Sequence, residues 1–299
     1  MRGVVVVLVA WLAIPSPAAA HPDTPRRLEE VARELEQRPG APDLLYRRGC
    51  LLLDEEYANY PQALQDLTAV LRAPGITDAR LFRATAFLRL GDVTQALGDL
   101  DAYVRASPDD VRGYERRFEA RLAAGKRKDA VADLEAALRV QPRADLYLRL
   151  AALHAEAGET SRAFAAYEDG ITRLGRPLEL VVALVDAATR AGAHAKALEW
   201  LAVLEAEGGR RERWVLRRGE VLEAAGRAAE AAAAYREVLG LLDTRAAAGG
   251  FLSQPMRLER ALALAALGRR EEAAAAIAVL GPAVQGRDEY RRLLERLAR

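Results

Sequence analysis

The sequence predicts an all-α protein, a solenoid of about seven stacked helix hairpins. The first observation is a repeat of about 34 residues, marked by glycines that each have an alanine five residues further on. The glycines are Gly91, Gly125, Gly158, Gly192, Gly226 and Gly268, at spacings of 34, 33, 34, 34 and 42 residues. The second observation is that apolar residues between the glycines recur at intervals of three and four, which places them on one stripe of a helix. No stretch has the alternation typical of strands.

Composition excludes several classes of protein. The 299 residues carry 44 Lys and Arg against 43 Asp and Glu, a balance that argues against a nucleic-acid partner. With 51% hydrophobic and 29% charged residues, the chain is not expected to be disordered. One cysteine, Cys50, excludes an intrachain disulfide framework and a multi-thiolate metal site. We expect Cys50 to be a small buried apolar residue; a reactive or intermolecular thiol is the alternative.

Residues 1–20 have the pattern of an export signal. Met1 and Arg2 precede an apolar run over residues 3–14, and small residues end at Ala20. The run is shorter than the roughly 20 residues that span a bilayer, so we expect cleavage before His21; an uncleaved anchor is the alternative. No later run is apolar enough to span a membrane. The mature protein is therefore predicted to be periplasmic or secreted, without an integral membrane segment.

Two amphipathic segments flank the predicted repeat array. In residues 21–41, a stripe of Leu28, Val31, Ala32 and Leu35 predicts a helix that caps the first repeat. In residues 287–299, Tyr290, Leu293, Leu294 and Leu297 predict a second capping helix. The arginines of that second segment allow an alternative, a helix lying on a membrane surface.

The repeats themselves occupy residues 42–286. In all but the first, glycine ends the first helix through its access to positive φ, and the alanine lets the second helix approach closely. The boundaries are predicted at 42–76, 77–110, 111–143, 144–177, 178–211, 212–245 and 254–286. The first repeat has extra residues around Tyr57–Pro61. The long spacing over residues 240–253 predicts a longer helix and a loop at Gly249-Gly250, with a break between domains as the alternative.

These hairpins resemble the tetratricopeptide repeat. The residues that carry the resemblance are Ala84, Phe87, Gly91, Ala96, Leu100, Tyr103 and Pro108, then Tyr114, Gly125, Ala130, Leu134, Ala137 and Pro142, and later Gly219, Leu222, Gly226, Ala231 and Tyr235. The bulky Phe118 departs from the family pattern. The resemblance implies a right-handed superhelix whose first helices line a concave face that binds protein partners. The lysine and asparagine residues with which the best-known adaptors of this family hold a terminal carboxylate are missing here.

Motifs for catalysis are absent from the sequence. The histidines His21, His154 and His194 have no metal-binding spacing, and we expect each to lie on a helix surface. There is no Gly-x-Ser-x-Gly elbow, no phosphate loop and no Gly-x-Gly-x-x-Gly. The protein is therefore predicted not to be an enzyme and to need no cofactor.

The first helices predict a partner-binding groove. Acids outnumber bases on their inferred concave side, and one apolar residue recurs in most repeats, which suits a protein or peptide with apolar anchors and basic flanks. The alternative is a solvated face whose acids are balanced by nearby arginines. The candidate groove residues are Tyr46, Leu81, Arg89, Glu115, Glu119, Leu148, Val182, Asp186, Leu216 and Glu220.

The predicted function is an exported scaffold that mediates protein–protein interactions through its concave groove. A structural or assembly factor of a cell-envelope complex, acting through its repeat ends or convex face, is the first alternative. An enzyme subunit is the second.

Overall fold

The computed structural model describes residues 23–73, 75–207 and 209–298. Within these residues the chain forms α-helices and one 3-10 turn, with no strand, and the helices pair as repeated hairpins. The predicted all-α solenoid of helical repeats is confirmed. The helices group into two compact units, which we call the N-terminal block (up to residue 142) and the C-terminal block (from residue 143). The predicted export signal, residues 1–20, lies outside the described residues.

The N-terminal block consists of a leading helix and three hairpins. Helix α1 packs on α2, with Val31 fully buried between them. The extra residues of the first repeat adjoin a 3-10 turn at Glu55–Tyr57. The helices are α1 (Thr24–Gln37), α2 (Pro42–Leu51), α3 (Tyr60–Val70), α4 (Asp78–Arg89), α5 (Val93–Ala106), α6 (Val111–Ala123) and α7 (Arg127–Val140).

The C-terminal block consists of four hairpins and two closing helices. Its helices are α8 (Ala144–Glu156), α9 (Thr160–Arg173), α10 (Leu178–Arg190), α11 (His194–Ala206), α12 (Arg211–Ala224), α13 (Ala228–Ala247), α14 (Gln254–Ala266), α15 (Arg270–Ala278), α16 (Pro282–Gln285) and α17 (Asp288–Ala298). The extra residues of the sixth repeat lengthen α13 to 20 residues. Because α13 packs directly on α14, the chain has no domain break there.

Six of the seven hairpin turns depend on a glycine. All six repeat glycines have positive φ, between 71° and 82°. At Gly91 the next residue, Asp92, donates its backbone N–H to the carbonyl oxygen of Phe87 at 2.9 Å, which satisfies one of the free carbonyls at the helix end. The same bond closes the other five turns at 2.8–2.9 Å. The partner alanines, from Ala63 to Ala273, are at most 3% exposed, so the two helices meet where a side chain is smallest.

A second repeated feature is a buried ion pair in the N-terminal block. Three residues after each alanine of this block comes an aspartate that is at most 5% exposed, and an arginine of the first helix holds it. The pairs are Arg48–Asp66, Arg83–Asp99 and Arg117–Asp133, each at 2.7 Å.

The arginines of these pairs also connect neighbouring hairpins. Arg83 donates to Thr68 of the preceding hairpin at 3.2 Å, and Arg117 donates to Asp101 at 2.9 Å. In the C-terminal block, Arg218 occupies the same place, eight residues before the repeat glycine, and bridges Glu205 of α11 and Glu237 of α13. In the fourth and fifth repeats this place is taken by buried leucines, Leu150 and Leu184. The same place in the first helix is therefore charged in some repeats and apolar in others.

The glycine requirement predicts opposite effects for two matched substitutions. Gly91→Ala forces a side chain into the left-handed region and is expected to lower the free energy of unfolding by about 1–2 kcal/mol. Gly98 lies exposed inside α5, so Gly98→Ala is expected to raise the free energy of unfolding by about 0.5–1 kcal/mol. Urea unfolding followed by circular dichroism measures both. Equal effects of the two substitutions would contradict this account of the turn.

Removing a buried aspartate should be costly because its arginine loses its counter-charge. Asp99→Ala is expected to cost about 3 kcal/mol of unfolding free energy. The exposed Asp109, which lies in the following turn, provides the control; Asp109→Ala should cost less than about 0.5 kcal/mol. The double variant Arg83→Met, Asp99→Leu should recover most of the loss. A cost at Asp99 no larger than at Asp109 would show that the pair is not structural.

Candidate partner-binding site

The C-terminal block contains an open pocket of about 750 Å³. Residues of the first helices α10, α12 and α14 form most of its lining, and α11 and the segment that begins α17 complete it. Its apolar residues are Val182, Val185, Leu201, Leu204, Trp214, Leu216, Pro255, Leu258 and Leu262. Its charged residues are Asp186, Arg190, Arg210, Arg213, Arg217, Glu220, Glu259, Arg287, Asp288, Glu289 and Arg292.

Helical periodicity explains why these residues share one surface. On α10, Val182, Asp186 and Arg190 follow at intervals of four, and on α12, Arg213, Leu216 and Glu220 follow at intervals of three and four. Such spacings place side chains on one face of a helix. Since α12 packs against α14, their faces join into a continuous surface.

The structure brings four of the ten predicted groove residues into this pocket: Val182, Asp186, Leu216 and Glu220. The remaining candidate of the C-terminal block, Leu148, is half-buried on α8 and does not line the pocket. The other five, Tyr46, Leu81, Arg89, Glu115 and Glu119, lie on α2, α4 and α6 of the N-terminal block.

Two of the predicted apolar anchors belong to the core. Leu81 is 5% exposed and packs with Ala84, Leu100 and Tyr103, and Leu216 is 6% exposed at the floor of the pocket. They were expected on an accessible face, but each is buried within a cluster of apolar core residues. Tyr46 is half-buried and meets Phe82 edge to face, with ring centroids 5.7 Å apart.

The predicted excess of acidic charge is balanced by arginines. In the pocket, Arg217 pairs with Asp186 and also with Glu220, the latter at 2.6 Å. In the N-terminal block, Arg116 pairs with Glu119 at 2.9 Å, and Arg89 pairs with Glu55 at 2.7 Å. These residues fit the alternative of a face whose acids are balanced locally.

Three arginines of the pocket are not held in ion pairs of this kind, although the charge of one of them, Arg213, acts on the buried Glu259. Among the described residues, Arg190, Arg213 and Arg287 form no ion pair with a carboxylate. The Arg213 guanidinium lies 4.7 Å from the centre of the Trp214 ring, and Arg190 Nε donates to the backbone carbonyl of Asp186 at 3.3 Å. The charge left over at the rim of the pocket is therefore mainly positive.

Helix α17 is both a cap and a wall of the pocket. Leu293 is fully buried against the core of the C-terminal block, and Tyr290 and Leu297 pack beside it. Arg292 approaches Glu220 of α12 at 3.6 Å, and Arg296 pairs with Glu223. These pairs span more than 70 residues of sequence, so no local pattern could reveal them.

The structure also settles the surroundings of the other reactive side chains. His154 was expected on a helix surface but is buried, with Nδ1 2.7 Å from a Glu159 carboxylate oxygen. Burial raises the pKa of the Cys50 thiol to about 12, which disfavours the reactive thiolate.

The described residues include no cluster of three or more side chains suited to holding a metal ion. In that same part of the chain, no helix is both long enough and apolar enough to cross a membrane.

Comparison with known proteins identifies the repeat. The tetratricopeptide-repeat family model matches residues 46–111 and 116–176, which span the first four hairpins. The hairpins of the matched residues are tetratricopeptide repeats, and the same hairpin geometry continues through residue 278. The fold supports a scaffold for protein–protein interactions, and no catalytic function is shown. Among curated proteins, none matches this sequence.

Several solved structures are similar to the chain. A tetratricopeptide-repeat protein from Parabacteroides merdae is 14% identical, covering 92% of this chain and 100% of its own, with a TM-score of 0.43. YrrB, described as a tetratricopeptide-repeat protein with an unusual peptide-binding site, is 19% identical over 54% of this chain and 83% of its own, with a TM-score of 0.44. The protein TTC0263 from Thermus thermophilus is 25% identical over 61% of this chain and 99% of its own, with a TM-score of 0.38.

The contacts of α17 predict how it can be loosened. The double variant Arg292→Glu, Arg296→Glu places like charges opposite Glu220 and Glu223. Because this repulsion loosens α17, the backbone amides of residues 288–298 should exchange with deuterium at least about tenfold faster. Arg291→Glu is the control, since Arg291 pairs only with Asp288 of its own helix. Mass spectrometry of the exchanged peptides measures both. Unchanged exchange in the double variant would mean that apolar packing alone holds α17.

Proposed function

We propose that this protein is an exported scaffold that holds a segment of a partner protein in the pocket of its C-terminal block. The observation that carries the proposal is an apolar floor, formed by three successive first helices, that opens to solvent inside a charged rim. Apolar surface rimmed by polar residues is typical of protein-binding sites. The pattern of residues 1–20 supports export to the periplasm or beyond the cell.

The shape of the pocket favours a peptide segment over a compact small molecule. Its lining runs from Val182 on α10, across Trp214 on α12, to Leu262 on α14, so a ligand must span three hairpins to cover it. An extended or helical segment does so by placing one apolar side chain per helix, with affinity summed over several modest contacts.

Two exposed side chains outside the pocket favour the second candidate function, a structural or assembly factor. Phe251, in the loop after α13, is 76% exposed, and Val279, at the end of α15, is 58% exposed. Neither lines the pocket. In an assembly factor these residues would contact the partner, and the pocket would not.

Site-specific photocrosslinking distinguishes the two. A benzophenone amino acid is placed in the full-length protein at Val182 in the pocket, at Phe251, or at Glu199, an exposed position on the second helix α11. After irradiation of intact cells, mass spectrometry identifies the crosslinked protein and segment. We expect one partner to be captured from Val182 and not from Glu199. Capture only from Phe251 would favour the assembly factor, and equal capture from Val182 and Glu199 would refute a pocket-based function.

Export predicts a defined mature terminus. The protein recovered from the periplasm or medium should begin at His21, and its intact mass should equal that of residues 21–299. The double variant Val6→Arg, Leu8→Arg interrupts the apolar run and should remain uncleaved in the cytoplasm. A full-length wild-type mass in the cytoplasmic fraction would refute export while leaving the pocket proposal intact.

A further inference from the structure

We propose that the segment recognised by this pocket is acidic, with carboxylates on either side of a bulky apolar side chain, and that Arg190, Arg213 and Arg287 bind those carboxylates. This inference rests on the proposed function, because it specifies the chemistry of the segment that the pocket holds. The proposed segment thus has acidic flanks where basic flanks were expected from the sequence.

The first step is the difference between engaged and free charges. Asp186 and Glu220 share Arg217, and Glu259, which is buried, receives two hydrogen bonds from Arg210 at 2.5 and 2.6 Å. These acids already have partners, and a basic ligand would have to break an existing pair to reach them. Such an exchange contributes little binding free energy, because the displaced arginine is left without its counter-charge.

The second step is the set of groups that a ligand meets without breaking a pair. Arg190, Arg213 and Arg287 are exposed and have no ion pair among the described residues. Among the carboxylates of the lining, Asp288 pairs with Arg291. Glu289 is the one carboxylate of the lining that has no ion pair among the described residues. A basic segment would therefore be repelled by the three arginines and attracted by one carboxylate. An acidic segment would be attracted by the three arginines and repelled by that one carboxylate.

The third step is geometry. The three arginines come from three elements: Arg190 from the end of α10, Arg213 from the first turn of α12, and Arg287 from the residue before α17. Because all three line one pocket with an apolar floor, a ligand can bury an apolar side chain and still place carboxylates at the rim. The arrangement requires α17 in place, because its leading segment supplies Arg287.

The fourth step is orientation. The Arg213 guanidinium lies 4.7 Å from the centre of the Trp214 ring, and its N–H groups form no hydrogen bond with another described residue, so they remain able to donate to a carboxylate. The bond from Arg190 Nε to the Asp186 carbonyl leaves the terminal nitrogens of Arg190 able to donate. Guanidinium groups held in this way can bind carboxylates in a bidentate manner with less loss of side-chain entropy.

The test uses three fluorescein-labelled 14-residue peptides and the full mature protein. One peptide alternates glutamates with leucines and a phenylalanine, the second replaces each glutamate by lysine, and the third keeps the glutamates but replaces the apolar residues by serine. Fluorescence anisotropy at low and moderate salt gives each dissociation constant. We expect the acidic apolar peptide to bind at least about tenfold more tightly than either of the others, with an affinity that falls as salt rises.

Two triple variants with equal charge change locate the binding. Arg190→Gln, Arg213→Gln, Arg287→Gln should lose at least about tenfold in affinity for the acidic peptide. The control is Arg72→Gln, Arg105→Gln, Arg139→Gln, which removes three exposed arginines of the N-terminal block that form no ion pair with a described carboxylate. Its affinity should stay within about twofold of the wild type. Circular dichroism and urea unfolding verify that both variants fold.

Equal affinity for the acidic and basic peptides, or equal losses in the two triple variants, would overturn the inference. The photocrosslinking experiment separates this failure from failure of the proposed function. If Val182 captures a partner through a neutral or basic segment, the pocket binds protein but the assigned chemistry is wrong. If Val182 captures nothing while the acidic peptide depends on the three arginines, the chemistry is right but the pocket serves another role.

Discussion

The close approach of the two helices in each hairpin is the constraint on which the rest of this structure depends. In six of the seven hairpins it rests on a glycine that reverses the chain in the left-handed region and on an alanine five residues later that is at most 3% exposed. Neither residue lines the pocket. Nevertheless, they set how the first helices pack, and that packing places both Val182 and Asp186 in the lining of the pocket. The binding surface is therefore a consequence of backbone geometry that recurs about every 34 residues.

Within that geometry one place in the first helix is occupied in two chemically different ways. Arginines such as Arg83 and Arg117 reach buried aspartates and also touch the preceding hairpin, whereas Leu150 and Leu184 occupy the equivalent place as apolar residues. Buried pairs of this kind are costly to break but add little over apolar packing. They are better understood as devices that select one alignment between neighbouring hairpins. The alternation between the two solutions shows how much chemical variation one hairpin geometry tolerates.

The sequence was sufficient to predict the all-α fold of helical repeats and the turns at the six repeat glycines, because these depend on periodicity and on the special properties of glycine and alanine. It was sufficient for part of the site: Val182 and Asp186 line the pocket as their helical spacing indicates. The burial of Leu81 and the pairing of Asp186 with Arg217 could not be predicted, because both depend on the angle between hairpins. The wall formed by α17 was also missed, since Arg292 and Glu220 are remote in sequence and meet only after the whole block has folded.

The place of α17 has a consequence for how such a protein can change during evolution. Repeat arrays commonly grow and shrink by duplication or loss of whole hairpins, but here the closing helix contributes side chains to the same cavity as α10, α12 and α14. Hairpins can be gained or lost ahead of α10 without altering that cavity. A hairpin inserted between α15 and α17 would move α17 away from α10, α12 and α14. The C-terminal end of the array is thus the part that copy-number variation must leave intact.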